Sequence, residues 1–156
     1  MTDRSYEYHG LPGAPGAATG RAFRWERPVA TDSFAADPAE ALRAGFAKAE
    51  ARLTAALATA DGTLAPLLEA QRLMLDDPEL RDGAFARVAA GTSPTEAVTV
   101  VAGELAAVLE GAGSEYFRER AIDVRAVGML VADAIGGSGP RAIPAGAVVL
   151  AEELAP

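Results

Sequence analysis

A mainly α fold, an antiparallel bundle of paired helical hairpins inserted between short β-strands, is what this sequence predicts. Three observations carry that expectation. Half of the 156 residues are hydrophobic but only 6% are aromatic, so small aliphatic side chains dominate, and alanine loses almost no side-chain entropy in a helix. From Asp37 to about Ile135, apolar residues recur at steps of three and four, the repeat of helices with one buried face. The flanking segments are punctuated by glycine and proline and hold short strand-like runs. The predicted organisation is a strand and Gly/Pro loop over residues 1–30, a helical region over 31–137, and a return linker and strand over 138–156.

In the opening region, Gly10, Gly13, Gly16 and Gly20 with Pro12 and Pro15 form a shaped loop. Arg21-Ala22-Phe23-Arg24-Trp25-Glu26 alternates large and polar side chains, as a half-buried strand does, and Pro28 closes it. Asp37-Pro38-Ala39-Glu40 then offers an N-cap, a proline at the first helical position and an acid at N3. Leu42, Phe46, Ala49, Leu53 and Leu57 continue as one stripe, and Gly62 ends that first helix. A second helix runs from about Leu64 to Asp76. Asp77-Pro78-Glu79-Leu80 starts a third, ending near Gly91. Thr92-Ser93-Pro94-Thr95-Glu96 is a capping box with proline at N1. It launches a fourth helix through Val98, Val101, Leu105 and Val108, although Val98-Thr99-Val100-Val101 alone has strand preference. Gly111 and Gly113 end it. The last helix starts at Ser114 with the seam Phe117, Ala121, Val124, Gly128, Val131 and Ile135. Beyond Gly136-Gly137-Ser138-Gly139-Pro140, the run Gly146–Ala151 reads as a buried strand, expected to pair with the first.

The totals narrow the function. A formal charge of −8 and a pI near 4.6 repel phosphate backbones and anionic lipid, so neither a nucleic acid nor a membrane is an expected partner. No apolar run approaches the ~20 residues that span a bilayer, and the first nine residues lack the apolar core of a signal peptide. A cytoplasmic location is expected. Cysteine is absent, which excludes disulfides, thiolate metal sites and cysteine nucleophiles. The only histidine, His9, reads as an exposed side chain. Asp76-Asp77 offers two carboxylates for a hard cation, but Asp77 at a helix start is better explained as an N-cap. The glycine loop leads into a strand, not a helix, so it matches neither a P-loop nor a dinucleotide fingerprint. No catalytic, cofactor-binding or metal residue is expected in this chain.

Two helices carry surplus surface chemistry. On the second, Leu64, Leu68, Gln71 and Leu75 form an inward stripe, leaving Leu67, Leu73 and Met74 for another face. Such a helix is either enclosed by its own protein or keeps an apolar side for a partner. On the last, Arg118, Glu119, Arg120, Asp123 and Arg125 lie off the seam. They read as a solvated face with weak ion pairs, or, beside Tyr116 and Phe117, as part of a protein interface.

Four segments, in order, bring a known family into view. Gly10…Pro15-Gly16…Gly20-Arg21-Ala22 is similar to an S-P-G-x-A-x-G-x-A start. Glu69-Ala70-Gln71-Arg72-Leu73-Met74-Leu75-Asp76-Asp77-Pro78-Glu79-Leu80 is similar to an E-x-H-x-x-L-x-D-P-E-L helix pair. Tyr116-Phe117-Arg118-Glu119-Arg120-Ala121-Ile122-Asp123-Val124-Arg125-Ala126-Val127-Gly128 closely matches Y-x-x-E-R-x-x-D-V-R-D-I-G, and Val148–Pro156 resembles a strand ending in D-L-T-P. Together they resemble the N-terminal portion of Enzyme I, the phosphoenolpyruvate–protein phosphotransferase of the bacterial sugar phosphotransferase system. The resemblance implies a helical subdomain that docks the phosphocarrier protein HPr, inserted in an incomplete α/β phosphohistidine subdomain. By position, HPr contacts would fall on Leu73, Met74, Glu79 and Leu80, and on Tyr116, Phe117 and Arg120. The family's phosphohistidine motif, G-G-x-T-S-H, has no match before Pro156, so this chain alone is expected to be inactive. The family uses magnesium and phosphoenolpyruvate through a C-terminal domain that also mediates its dimerisation, so a monomer without cofactor is expected here. Gln71 replaces a frequent histidine, and Gly62-Thr63 an acidic pair. The alternatives are a fragment of a fused or paralogous phosphotransferase, such as a multiphosphoryl transfer protein or a dihydroxyacetone kinase phosphoryl-donor subunit, or a helical adaptor without catalysis.

Overall fold

The computed structural model describes residues 16–24, 37–137 and 143–151. Seven elements follow in order: β1 (Arg21–Arg24), α1 (Pro38–Leu57), α2 (Ala65–Leu75), α3 (Pro78–Ala89), α4 (Pro94–Gly111), α5 (Glu115–Ile135) and β2 (Ala147–Leu150). They divide into two compact units, one holding the two strands and the other the five helices.

In the strand unit, β1 and β2 pair in parallel, with Arg21 opposite Ala147 and Arg24 opposite Leu150. A Cβ added at Gly20 would stand 2.3 Å from the carbonyl oxygen of Gly146, so only glycine lets the two backbones approach there. The expected pairing is present. Trp25 and Glu26, expected to continue the first strand, lie outside the described residues, as do His9 and most of the opening loop.

Helix starts in the other unit follow local chemistry. Orphan N–H groups of a first helical turn need acceptors. Asp37 Oδ1 accepts from the Ala39 N–H at 3.0 Å and Asp77 Oδ1 from Glu79 at 2.8 Å. Ser93 Oγ accepts from Glu96, and Ser114 Oγ from Phe117, each at 3.3 Å. Prolines 38, 78 and 94 occupy first helical positions, where no N–H is missed. The capping box outweighs the strand preference of Val98–Val101, since each β-branched residue costs a helix only about 0.5 kcal/mol. Thr99 even donates its hydroxyl back to the Thr95 carbonyl at 2.8 Å.

The helices form an antiparallel bundle around one core. Leu42, Phe46, Ala49 and Leu53 come from α1, Leu68 and Leu75 from α2, Leu80 and Ala84 from α3. Val98, Val101 and Ala102 come from α4, and Val127, Val131, Ala132 and Ala134 from α5. The most extensive pairing is α4 with α5. A Cβ on Gly128 would lie 2.4 Å from the Ala102 Cβ, so the two backbones are as close as glycine allows. Gly45 plays the same part between α1 and α5, where an added Cβ would meet Ile135 Cγ1 at 2.2 Å. Glu110 and Arg125 bridge α4 and α5 through two hydrogen bonds of 2.6 and 3.0 Å. That bond holds the Glu110 carboxyl below the usual carboxylate range and raises the Arg125 guanidinium.

Two seam positions differ from the sequence expectation. Val108 is 75% exposed and Phe117 38% exposed. Phe117 lies where a partner helix has run out. With Gly128 against Ala102, α4 ends at Gly111 before reaching the level of Phe117. The stripe is continuous in sequence, but its cover is not.

The close approach of α4 and α5 gives a paired test. Gly128→Ala is expected to lower stability by up to about 2 kcal/mol, because overpacking of about 1–3 kcal/mol exceeds the ~1 kcal/mol helix-propensity gain. Gly103→Ala, at a helical glycine with nothing within 4 Å, is expected to raise it by up to ~1 kcal/mol. Thermal or urea unfolding of the two variants measures both signs.

Candidate docking surface

The residues expected to meet a partner separate into three groups. Leu73 is 67% exposed and Tyr116 60%; with Phe117 and Glu79 they form the outward group. Met74 and Arg120 are half-buried, and Met74 packs against the core. Leu80 is 2% exposed and belongs to the core itself. It is therefore removed from the surface. In one uninterrupted helix, Leu73 and Leu80 would share a face. The corner at Asp76-Asp77 breaks that relation, and Leu80 joins Ala84 on the buried stripe of α3.

The faces of α2 follow from its 3.6-residue turn. Leu68, Gln71 and Leu75 are buried, so one side of α2 lies against the bundle. Leu73 is then almost half a turn away, pointing to solvent. Leu67 and Met74 flank the buried stripe and are half-buried. Leu64, expected on the inward stripe, is 40% exposed because it only caps the helix end. Gln71 is the one buried polar side chain among the described residues, 5% exposed.

The corner between α2 and α3 is tied by its own charges. Asp77 caps α3, and Asp76 pairs with Arg81 at 3.4 Å. The Arg81 guanidinium also sits 4.7 Å from the Phe46 ring centroid, a cation–π contact that anchors it to the core. Both aspartates thus have structural work. Among the described residues, no group of three His, Asp or Glu side chains is placed to hold a metal ion.

At the start of α5, residues 115–119 are all exposed. The Tyr116 and Phe117 rings meet edge to face, with centroids 5.5 Å apart. Arg120 lays its guanidinium 5.4 Å from the Tyr116 centroid and pairs with Asp123 at 3.0 Å. Exposed aromatics beside an ordered arginine are the composition of energetically important interface centres.

Residues 9–120 match the family described as PEP-utilising enzyme, N-terminal. The chain belongs to this family. It is 34% identical over 104 residues to multiphosphoryl transfer protein 2 of Escherichia coli (strain K12), which covers 64% of the chain. It is 31% identical over 166 aligned positions, covering 98% of the chain, to the phosphoenolpyruvate-protein phosphotransferases of Bacillus sp. (strain S) and Geobacillus stearothermophilus. These relatives are much longer: the chain spans 12% of the first and 29% of each of the others. A solution NMR structure of an Enzyme I protein has the same fold, with a TM-score of 0.69 and 25% identity. That likeness covers 92% of this chain and 64% of the other. The helical bundle with two short strands is therefore the family architecture, and the resemblance seen in the sequence is confirmed.

The division between Leu80 and Leu73 can be measured without any partner. Leu80→Ala is expected to cost about 2–4 kcal/mol, because it opens a cavity in the core. Leu73→Ala is expected to change stability by less than about 0.5 kcal/mol. Urea unfolding of both variants provides the comparison.

Proposed function

We propose that the helical unit is the docking part of a phosphoenolpyruvate–protein phosphotransferase, and that its partner is the phosphocarrier HPr. The observation that carries this reading is the exposed apolar surface left by the bundle. Leu73 faces away from the core on α2, and Tyr116 and Phe117 stand clear at the start of α5. Those elements are also the ones that resemble the family's carrier-docking helices. In this reading Met74 lends its half-exposed side, while Glu79 and Arg120 stand at the rim and set register more than affinity. Apolar contact at the centre provides most of the binding, as in other interfaces of this kind.

The chain's own share of phosphoryl transfer is then to bring the carrier to a reactive group held elsewhere in the longer enzyme. Magnesium and phosphoenolpyruvate would act there and not on this bundle. The same reading gives the protein a cytoplasmic location. No helix among the described residues is long and apolar enough to cross a membrane.

Titration of the isotope-labelled chain with HPr from the same organism provides the test. Amide shifts are expected at Leu73, Tyr116, Phe117 and Arg120. Leu73→Asp is expected to weaken binding on the order of tenfold or more, with unchanged helicity, since it places an unpaired charge at the centre of the contact. An unchanged spectrum at millimolar HPr would overturn the reading.

A further inference from the structure

Arg120 does not stand free on the docking surface. Its Nη1 is 3.0 Å from Oδ2 of Asp123, one turn further along α5, and the two side chains are only 32% and 20% exposed. The guanidinium carbon lies 5.4 Å from the Tyr116 ring centroid. The Arg120 Nε–H is buried and meets no acceptor, so among the described residues the ion pair with Asp123 is the polar contact that orients this side chain. A lone exposed pair at this spacing would be a weak contact between two mobile side chains. Here partial burial, a cation–π contact and an ion pair act on the same guanidinium together.

We propose that Asp123 is a positioning residue of the docking surface: it holds Arg120 beside the Tyr116 ring, so that the guanidinium edge left over and the two aromatic rings form one rigid recognition element. The partner chemistry follows from that arrangement. Asp123 neutralises most of the arginine's charge, so the element suits a surface that offers an acceptor oxygen beside apolar side chains better than a strongly acidic one. Fixing the side chain before contact removes the cost of ordering a long, flexible arginine during binding. This inference rests on the proposed HPr docking. It assigns a role to a carboxylate that need not touch the carrier.

The test combines a thermodynamic cycle with a spectroscopic readout on the full chain. HPr affinity is measured for the wild type, Arg120→Ala, Asp123→Ala and the double variant, with unfolding midpoints alongside. Expected is a loss on the order of tenfold for either single variant, and less than about twofold further loss in the double variant, the non-additivity of two groups acting as one. Asp123→Asn keeps an acceptor oxygen at the same position and is expected to recover part of the affinity. It also serves if the alanine variant folds poorly. In the free chain, Asp123→Ala is expected to move the Arg120 side-chain resonances out of the ring-current field of Tyr116. If Arg120→Ala weakens binding while Asp123→Ala binds within twofold of wild type, the positioning role is overturned and the docking proposal stands. If Asp123→Ala leaves the Arg120 resonances in place, the positioning role is likewise overturned. If the wild type does not bind HPr, both fall.

Discussion

Gly128 of α5 rests against Ala102 of α4 at a distance that leaves no room for another methyl group, and the rest of the helical unit is arranged around that contact. Close packing of this kind fixes two things at once. It sets the separation of the hairpin, and it sets the register, because ridges of small residues interlock at only one offset. From that register follows which side chains have a neighbour. Val127, Val131 and Ala134 are placed among the side chains of the core, whereas the first turn of α5 has no α4 beside it. The exposure of Tyr116 and Phe117 is thus a consequence of helix length and register. It is not a local failure of packing.

A similar constraint governs α2. The helix is short, and it is followed at once by a capped corner at Asp77. Turning the chain there lets α3 direct Leu80 and Ala84 inward without obliging Leu73 to follow. The Asp76–Arg81 pair is exposed and contributes little by itself. The contact of Arg81 with Phe46 gives the corner a hold on the core. Among the apolar side chains the bundle exposes are one leucine on α2 and an aromatic pair on α5, each on a helix whose opposite side is buried. Rigid support of that sort suits recognition, since the partner meets a surface that is already formed.

Most of the fold was legible because four of the five helices announce their own start. Asp37, Asp77, Ser93 and Ser114 were readable as caps, and each makes the expected hydrogen bond. The α1 stripe from Leu42 to Leu53 was readable from spacing alone. What spacing does not encode is where a neighbouring helix ends. Phe117 satisfies the apolar repeat yet is exposed for that reason. Leu80 erred the other way: it was assigned to the surface by its position in a family motif, although its spacing from Ala84 marks the buried stripe of α3. The exposure of Leu73 and Tyr116 was legible, whereas Phe117 reads both as a seam residue and as a carrier contact and is exposed. The Arg120–Asp123 pair was visible as an i, i+3 spacing, but the cation–π contact of Arg120 with Tyr116 depends on side-chain conformations that no periodicity carries.

In the proposed docking, Leu73 on α2 and the two rings at the start of α5 are open in the free chain and covered by the carrier. Side-chain relaxation by a soluble paramagnetic agent, measured before and after HPr is added, addresses it most directly. Strong relaxation of the Leu73 methyls and of the Tyr116 and Phe117 ring protons in the free chain, lost on adding HPr, is the expected result. Side chains already shielded in the free chain, or equally accessible in the complex, would contradict the claim.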